Sequence, residues 1–180
     1  MVSKETQTVL PVPRTKEEAK WLYDRISRLY EYLAGLERKY AEMALDRLSV
    51  QNGETVLEIG FGSGHCLKRI AKLVGESGKA CGLDISSGML EVTRGRLGQA
   101  GLIDRIELYQ GDAANLPFRD NAFDTVFTSF TLELFDTPEI PKVLQEIRRA
   151  LRPKGKLGVI DASKENGGSL SMRLYEWAHM

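Results

Sequence analysis

The chain has little sulfur and little imidazole: two cysteines, Cys66 and Cys81, and two histidines in 180 residues. Two thiols cannot build a disulfide scaffold or a four-cysteine metal centre, and their spacing matches no zinc pattern, so no metal site is expected. Buried free thiols in a reducing compartment are what remains. Neither sign of charge is in excess, with Lys+Arg and Asp+Glu both totalling 25, which removes the general basic surface that nucleic acid or an anionic membrane requires. No apolar run of about 18 residues occurs, and the N-terminus MVSKETQTVLPVPRTKEEAK has no apolar core followed by a small-residue cleavage site. The expectation is a cytoplasmic protein with no integral membrane segment.

What is present is a 42% apolar composition, sufficient for one domain with a substantial core. Residues 1–16, with Pro11 and Pro13 around Val12, read as an extended lead-in, and 17–180 as a single domain. Within it, 17–50 is a helical cap carrying Trp21, Leu22, Ile26, Leu29, Leu33 and Leu36, then Tyr40, Met43, Ala44 and Leu48 at helical spacing, with a break at Gly35. From 51 to 165 short apolar strands alternate with helix-length segments, the pattern of an α/β fold with a parallel sheet. Strands are expected at 55–60, 79–84, 105–110, 123–129 and 156–161. The first crossover helix buries Leu67, Ile70, Ala71 and Val74 and closes at Gly75. The helix before the last strand is expected to start at Thr137 as N-cap with Pro138 inside, and to end in the Pro-Gly turn of RPKGK. A C-terminal helix is expected over 166–180.

The stretch VLEIGFGSGH, residues 56–65, places Gly60, Gly62 and Gly64 where a strand ends and a helix opens. In a chain with 17 glycines such a triplet arises easily, and its position is what makes it informative. The dinucleotide fingerprint would need a third glycine at position 65, which is His65, and no G-x-x-x-x-G-K-[ST] exists to cradle a triphosphate. Glu58, two residues before Gly60, would repel a pyrophosphate and attract a cation. Asp84 ends the second strand 20 residues after Gly64, suited to accept from ribose hydroxyls. Asp112 in GDAANLPF could accept from an adenine amino group while the Ala113 backbone meets a ring nitrogen. Ser129 ends the fourth strand. All of these fall at carboxyl ends of strands, the crevice where doubly wound sheets bind ligands.

The segments VLEIGFGSG, GLDIS, GDAANLPF, FDTVFTSFTLELFD and ALRPKGKLGVID, in this order, resemble class I S-adenosylmethionine-dependent methyltransferases, and within them the ubiquinone/menaquinone-biosynthesis C-methyltransferase-like group. The resemblance implies a Rossmann-like doubly wound sheet of order 3-2-1-4-5 with helices on both faces, S-adenosyl-L-methionine as cofactor and S-adenosyl-L-homocysteine as product. It implies that Gly60, Gly62, Ser63 and Gly64 wrap the methionine part with Glu58 near its ammonium. It further implies that Asp84 holds the ribose, Ile85 packs on the adenine, Asp112 and Ala113 read the adenine edge, and Ser129 lies beside the transferring methyl.

Two departures from that group stand out. The segment after the fourth strand reads SFTLEL where quinol-methylating members resemble S-F-G-L-R-N, which puts Glu133 and Leu134 in place of Arg and Asn and speaks against quinone precursors. The sequence also stops at Met180, before the helix and antiparallel strand pair with which such proteins continue, which leaves open a natural minimal form or a fragment of a longer protein. A fifth strand left at the sheet edge would then call for a homodimer, or for cover by a helix around Leu170 to Trp177.

Methyl transfer from a sulfonium is an in-line displacement that asks mainly for positioning and exclusion of water, with a base only if the acceptor must lose a proton. Glu133, Tyr23 and Tyr30 are weak candidates for contact with a small-molecule acceptor, each equally readable as a loop or packing residue, as is Tyr32. His65 fits a cap better than a base, and His179 a solvated end. Arg148, Arg149, Arg152, Lys154 and Lys156 read as a solvated helix end. A cofactor-binding or dimerising module without turnover, and a nicotinamide-dependent oxidoreductase, stay open as alternatives.

Overall fold

The computed structural model describes residues 15–27 and 35–161. Residues 1–14, Tyr30, Tyr32, His179 and the expected C-terminal helix at 166–180 lie outside the described residues. The elements are α1 (Lys16–Ile26), α2 (Gly35–Leu48), β1 (Thr55–Ile59), α3 (His65–Val74), β2 (Lys79–Asp84), α4 (Ser87–Gln99), β3 (Ile106–Gln110), β4 (Phe123–Ser129), α5 (Ile140–Ala150) and β5 (Leu151–Ile160). The strands form one five-stranded sheet of order β3-β2-β1-β4-β5, parallel throughout, which is the order the family resemblance implies.

The central strands are apolar at nearly every position because both faces are covered. Val56, Leu57, Val126 and Phe127 are fully buried. On one face Val56 and Phe127 pack with Ala41 and Leu45 of α2, Leu67 and Ile70 of α3, and Leu97 of α4. On the other, Leu57, Ile59 and Val126 pack with Val143, Ile147 and Ala150 of α5. The termini are set locally. Thr15 and Glu18 form a reciprocal capping box on α1, which begins one residue earlier than expected. The Ser86 hydroxyl accepts from the Met89 N–H at the start of α4.

Two expected boundaries are corrected. Thr137 and Pro138 do not open α5: residues 137–139 form a separate turn in which the Glu139 N–H donates to the Asp136 carbonyl at 2.8 Å, and the helix begins at Ile140 with Pro141 in its first turn. The last strand begins at Leu151 rather than 156. Phe123 pairs with Leu151 and Thr125 with Lys156, so the residues between them bulge out of the ladder, with Lys154 at φ 67°.

The basic cluster around that bulge is corrected as well, since most of it is engaged rather than solvated. Arg149 donates to the carbonyls of Phe118 (2.7 Å) and Leu116 (3.1 Å) and pairs with Glu146 and Asp120. Arg152 pairs with Asp124, and Lys156 with Glu54 at 2.8 Å. Arg148 is exposed, in keeping with the helix-end expectation. Cys66 and Cys81 are buried and free of disulfides. Burial pushes both thiols up, Cys81 to about 12, so neither is a nucleophile near neutrality.

Among the described residues no helix is long and apolar enough to cross a membrane, and no cluster of His, Cys, Asp and Glu could hold a metal ion. Among the described residues β5 has no strand on its outer side, and Leu144, Leu157 and Val159 are exposed there by 39–45%. Phe127→Ala, which empties the face shared by α2 and α3, is expected to cost about 3–5 kcal/mol in urea denaturation, whereas Leu144→Ala on the exposed edge should cost under about 1 kcal/mol. Equal losses would contradict this division of core and edge.

Candidate active site

The carboxyl ends of β1, β2, β3 and β4 and the turns after them form two joined clefts. The first, about 710 Å³, is lined by Gly60, Gly62, Asp84, Ile85, Asp112, Ala113 and Ser129, with Tyr23, Met89, Leu134 and Phe135 closing it. The second, about 450 Å³, is lined by Glu58, Gly60, Gly62, Ser63 and Ser129 below, and by Glu37 and Arg38 of α2 above. Gly60, Gly62, Ser129 and Phe130 border both. Of the ten residues that the resemblance assigns to the cofactor, seven line the first cleft, and Glu58 and Ser63 line the second alone.

The glycine loop is held on both sides. Gly60, at φ 71°, donates to the Leu83 carbonyl at 2.8 Å, and a Cβ there would stand 2.2 Å from the Thr131 hydroxyl oxygen. The Gly62 N–H donates to Asp84 Oδ2 at 2.9 Å, and its carbonyl accepts from Thr93 at 2.8 Å. Gly64 lines neither cleft: it is the left-handed N-cap of α3, where a Cβ would meet Thr93 Cγ2 at 2.5 Å. Its visible work is to let α3 and α4 approach.

Asp84 also accepts from the Ser86 N–H at 2.9 Å, so one carboxylate ties the glycine loop to the start of α4. Burial pushes it up to about 6 against the pull of those N–H groups. Asp112 accepts from the Ala114 N–H at 2.9 Å and so caps a short 3₁₀ turn over Ala113–Asn115. Glu58 is 2% exposed, and its Oε2 accepts no hydrogen bond. Burial, and then the charge of Asp84, pushes its carboxyl well above the ordinary carboxylate range. A buried carboxylate oxygen without a partner is costly, and a cation in the second cleft would relieve that cost. The second cleft therefore suits a ligand with a cationic end.

Of the acceptor-side candidates, Tyr23 lines the first cleft and Tyr30 lies outside the described residues. Glu133 lines neither cleft; it sits on the 3₁₀ turn Leu132–Leu134 beside Asp161, whose carboxyl burial and the Glu133 charge push up to about 6. His65 does not cap its helix, whose N-cap is Gly64 with no side-chain cap bond; its Nε2 lies 2.7 Å from Glu42 Oε1 and joins α3 to α2 instead.

Sequence reasoning missed four residues here. Phe130 adopts φ 50° between the clefts. Thr131 covers Gly60, its N–H donating to Asp161 Oδ1 at 3.1 Å. Asp161, a fourth acidic residue at a strand end, could have been found in VID by the criterion that found Asp84. Asp24 of α1 accepts from the Gly88 N–H at 2.8 Å and the Ser86 hydroxyl at 2.6 Å, docking α1 on the N-terminus of α4. Nothing in the helical pattern marks it.

A family model described as a methyltransferase domain matches residues 56–155. The ubiquinone/menaquinone biosynthesis C-methyltransferase of Hahella chejuensis is 34% identical over 160 residues, spanning 86% of this chain; the chain spans 64% of that relative's length. A solved S-adenosylmethionine-dependent methyltransferase from Aquifex aeolicus is 30% identical with a TM-score of 0.65, over 80% of this chain and 77% of that one. The cyclase SpnF superposes with a TM-score of 0.75 over 89% of this chain and 66% of its own, and at 24% identity speaks for the fold alone.

The two aspartates titrate with opposite sign. Although burial pushes Asp24 up, the Gly88 N–H, Ser86 and Lys20 hold it down at about 2. That lies below the ~3.9 of an unfolded aspartate, so its contribution is complete above about pH 4 and is lost as pH falls through its folded value. Asp84, raised to about 6, instead lowers stability as pH climbs from about 4 through that value. Urea denaturation across pH should show the advantage of wild type over Asp24→Asn shrinking below about pH 4, and the stability of wild type relative to Asp84→Asn falling between about pH 4 and 6. Parallel pH curves for either pair would contradict the assignment.

Proposed function

The chain belongs to the methyltransferase-domain family, in the S-adenosylmethionine-dependent class, and from that premise we propose that it transfers the methyl group of S-adenosyl-L-methionine to a small-molecule acceptor, releasing S-adenosyl-L-homocysteine. The observation that carries this reading is Glu58, a buried carboxylate beside the glycine loop with one oxygen unpartnered. A dinucleotide pyrophosphate would meet repulsion there; an α-ammonium supplies what is missing.

The cofactor supplies a methyl already activated by the sulfonium charge. With it bound, an acceptor held in line would take the methyl while the electron pair of the broken carbon–sulfur bond stays on sulfur. The protein's task is therefore to position and to exclude water. In this reading Glu58 faces the ammonium and Asp84, already fixed by Gly62 and Ser86, accepts from the ribose. Ile85 packs on the adenine while Asp112 and Ala113 meet its edge. Gly60, Gly62 and Ser63 follow the methionyl chain, with Gly64 setting the helix behind them, and Ser129 flanks the methyl. Tyr23, Leu134 and Phe135 give the first cleft an apolar wall that sheds water.

Glu133 reaches an acceptor only if its turn shifts toward the cleft, and Tyr23 already borders it. The Hahella chejuensis relative is named for ubiquinone and menaquinone biosynthesis, but SFTLEL in place of the group's segment supports an acceptor other than a quinone precursor. A homodimer through β5 belongs to the same proposal, supported by the exposed Leu157 and Val159, with the cytoplasm as its place of action.

S-adenosyl-L-homocysteine at about 100 times its Kd should stabilise the protein by about 2.7 kcal/mol in thermal unfolding, and NADH should not. Stabilisation by NADH alone would overturn the reading. Glu58→Gln should weaken S-adenosyl-L-homocysteine roughly ten- to hundredfold by calorimetry, the loss of a charge-assisted hydrogen bond of about 1.5–3 kcal/mol.

A further inference from the structure

Asp24 belongs to α1, yet most of its partners lie on the first turn of α4. Its Oδ1 accepts from the Gly88 N–H at 2.8 Å, from the Ser86 hydroxyl at 2.6 Å and from the Ser87 hydroxyl at 3.4 Å, while Oδ2 pairs with Lys20 at 3.0 Å. The approach is close: a Cβ on Gly88 would stand 2.8 Å from the Asp24 carbonyl oxygen and 2.9 Å from its Cα, so a larger residue there would push α1 away. α4 does not need this carboxylate as its cap, because Ser86 already caps it through the Met89 N–H at 3.1 Å. Asp24 therefore does something besides capping.

Ser86 is fully buried and has a single hydroxyl proton, which goes to Asp24. Its N–H goes to Asp84 Oδ1 at 2.9 Å, so Ser86 stands between two carboxylates, one on α1 and one lining the first cleft. A carboxylate accepts at about four lone-pair sites. The N–H groups of Gly62, Ser86 and Ile85 draw on Asp84, and the remainder is what a ribose hydroxyl can use. Without the Asp24 carboxylate the buried Ser86 proton would need another acceptor, and Asp84, two residues back and already bonded to the Ser86 N–H, is the neighbouring carboxylate. That bond would consume what the ribose needs. Resting on the cofactor reading above, we propose that Asp24 is a positioning residue: by taking the Ser86 proton it keeps Asp84 open to the ribose hydroxyls. It also ties that readiness to the seating of α1, whose Tyr23 walls the same cleft.

Calorimetry on the full chain with S-adenosyl-L-homocysteine and its 2′,3′-dideoxy analogue tests this. Wild type should bind the parent about tenfold or more tightly than the analogue. In Asp24→Ala the parent should weaken by about fivefold or more and the analogue by less than about twofold, so that the preference for the hydroxyls collapses. Asp24→Asn, which keeps an acceptor oxygen for Ser86, should restore the preference to within about twofold of wild type. Equal losses for both ligands in D24A would make Asp24 a plain support of α1 and overturn the proposal, as would no loss for either, or a failure of D24N to restore the preference. Should D24A not fold, Gly88→Ala, which pushes α1 off the turn and leaves both carboxylates in the chain, should show the same selective loss. An unchanged preference in G88A would then overturn the proposal. Wild type that binds both ligands equally, or neither, would overturn the cofactor reading and the proposal with it, whereas wild type that discriminates beside an unchanged D24A would overturn the proposal alone.

Discussion

Glu58 sits at the carboxyl end of the central strand with its side chain out of water and one oxygen unpartnered. Leaving a charged group in that condition costs free energy that a chain optimised only for folding would avoid, for instance with an apolar residue between Leu57 and Ile59. The neighbours deepen the cost rather than relieve it, because Asp84 adds a second buried negative charge nearby. A site built this way is poised for a cation, and the second cleft beside the glycine loop takes its meaning from it.

The same ends of the strands are braced by hydrogen bonds that leave the cleft walls little freedom. Asp84 joins the glycine loop to α4, Asp24 joins α1 to the same helix start, and Asp161 joins β5 to the turn that carries Thr131 over Gly60. Each uses a carboxylate to gather backbone N–H groups that would otherwise point unsatisfied into a partly buried crevice. Parallel strands require this, since every crossover begins at one end of the sheet and leaves its turns there.

Much of the frame was legible in the sequence because parallel strands buried on both faces must be apolar runs, and 79–84 and 123–129 were found at their observed limits. The position of the candidate residues at the crevice was legible for the same reason: a short polar segment after an apolar run marks it. What failed was local competition. Thr137-Pro138 has the chemistry of a helix start, but Asp136 to Glu139 closes its own turn first. RPKG looked like the end of a helix and proved to be a bulge, pinned by Arg152 to Asp124 and Lys156 to Glu54 across distances that no local pattern carries. Asp24 and Thr131 were missed because each acts on a partner distant in the chain.

The account stands most directly on the protonation of one side chain. Carbon-13 NMR of glutamate-labelled protein, with the Glu58 carboxyl assigned by comparison with Glu58→Gln, can follow its titration with and without S-adenosyl-L-homocysteine. A carboxyl that titrates well above the usual carboxylate range when free, and moves down on binding as the ligand's ammonium compensates it, is the expected result. An ordinary value in the free protein, or one that does not move when the ligand binds, would contradict the claim that this buried carboxylate is what the site is built around.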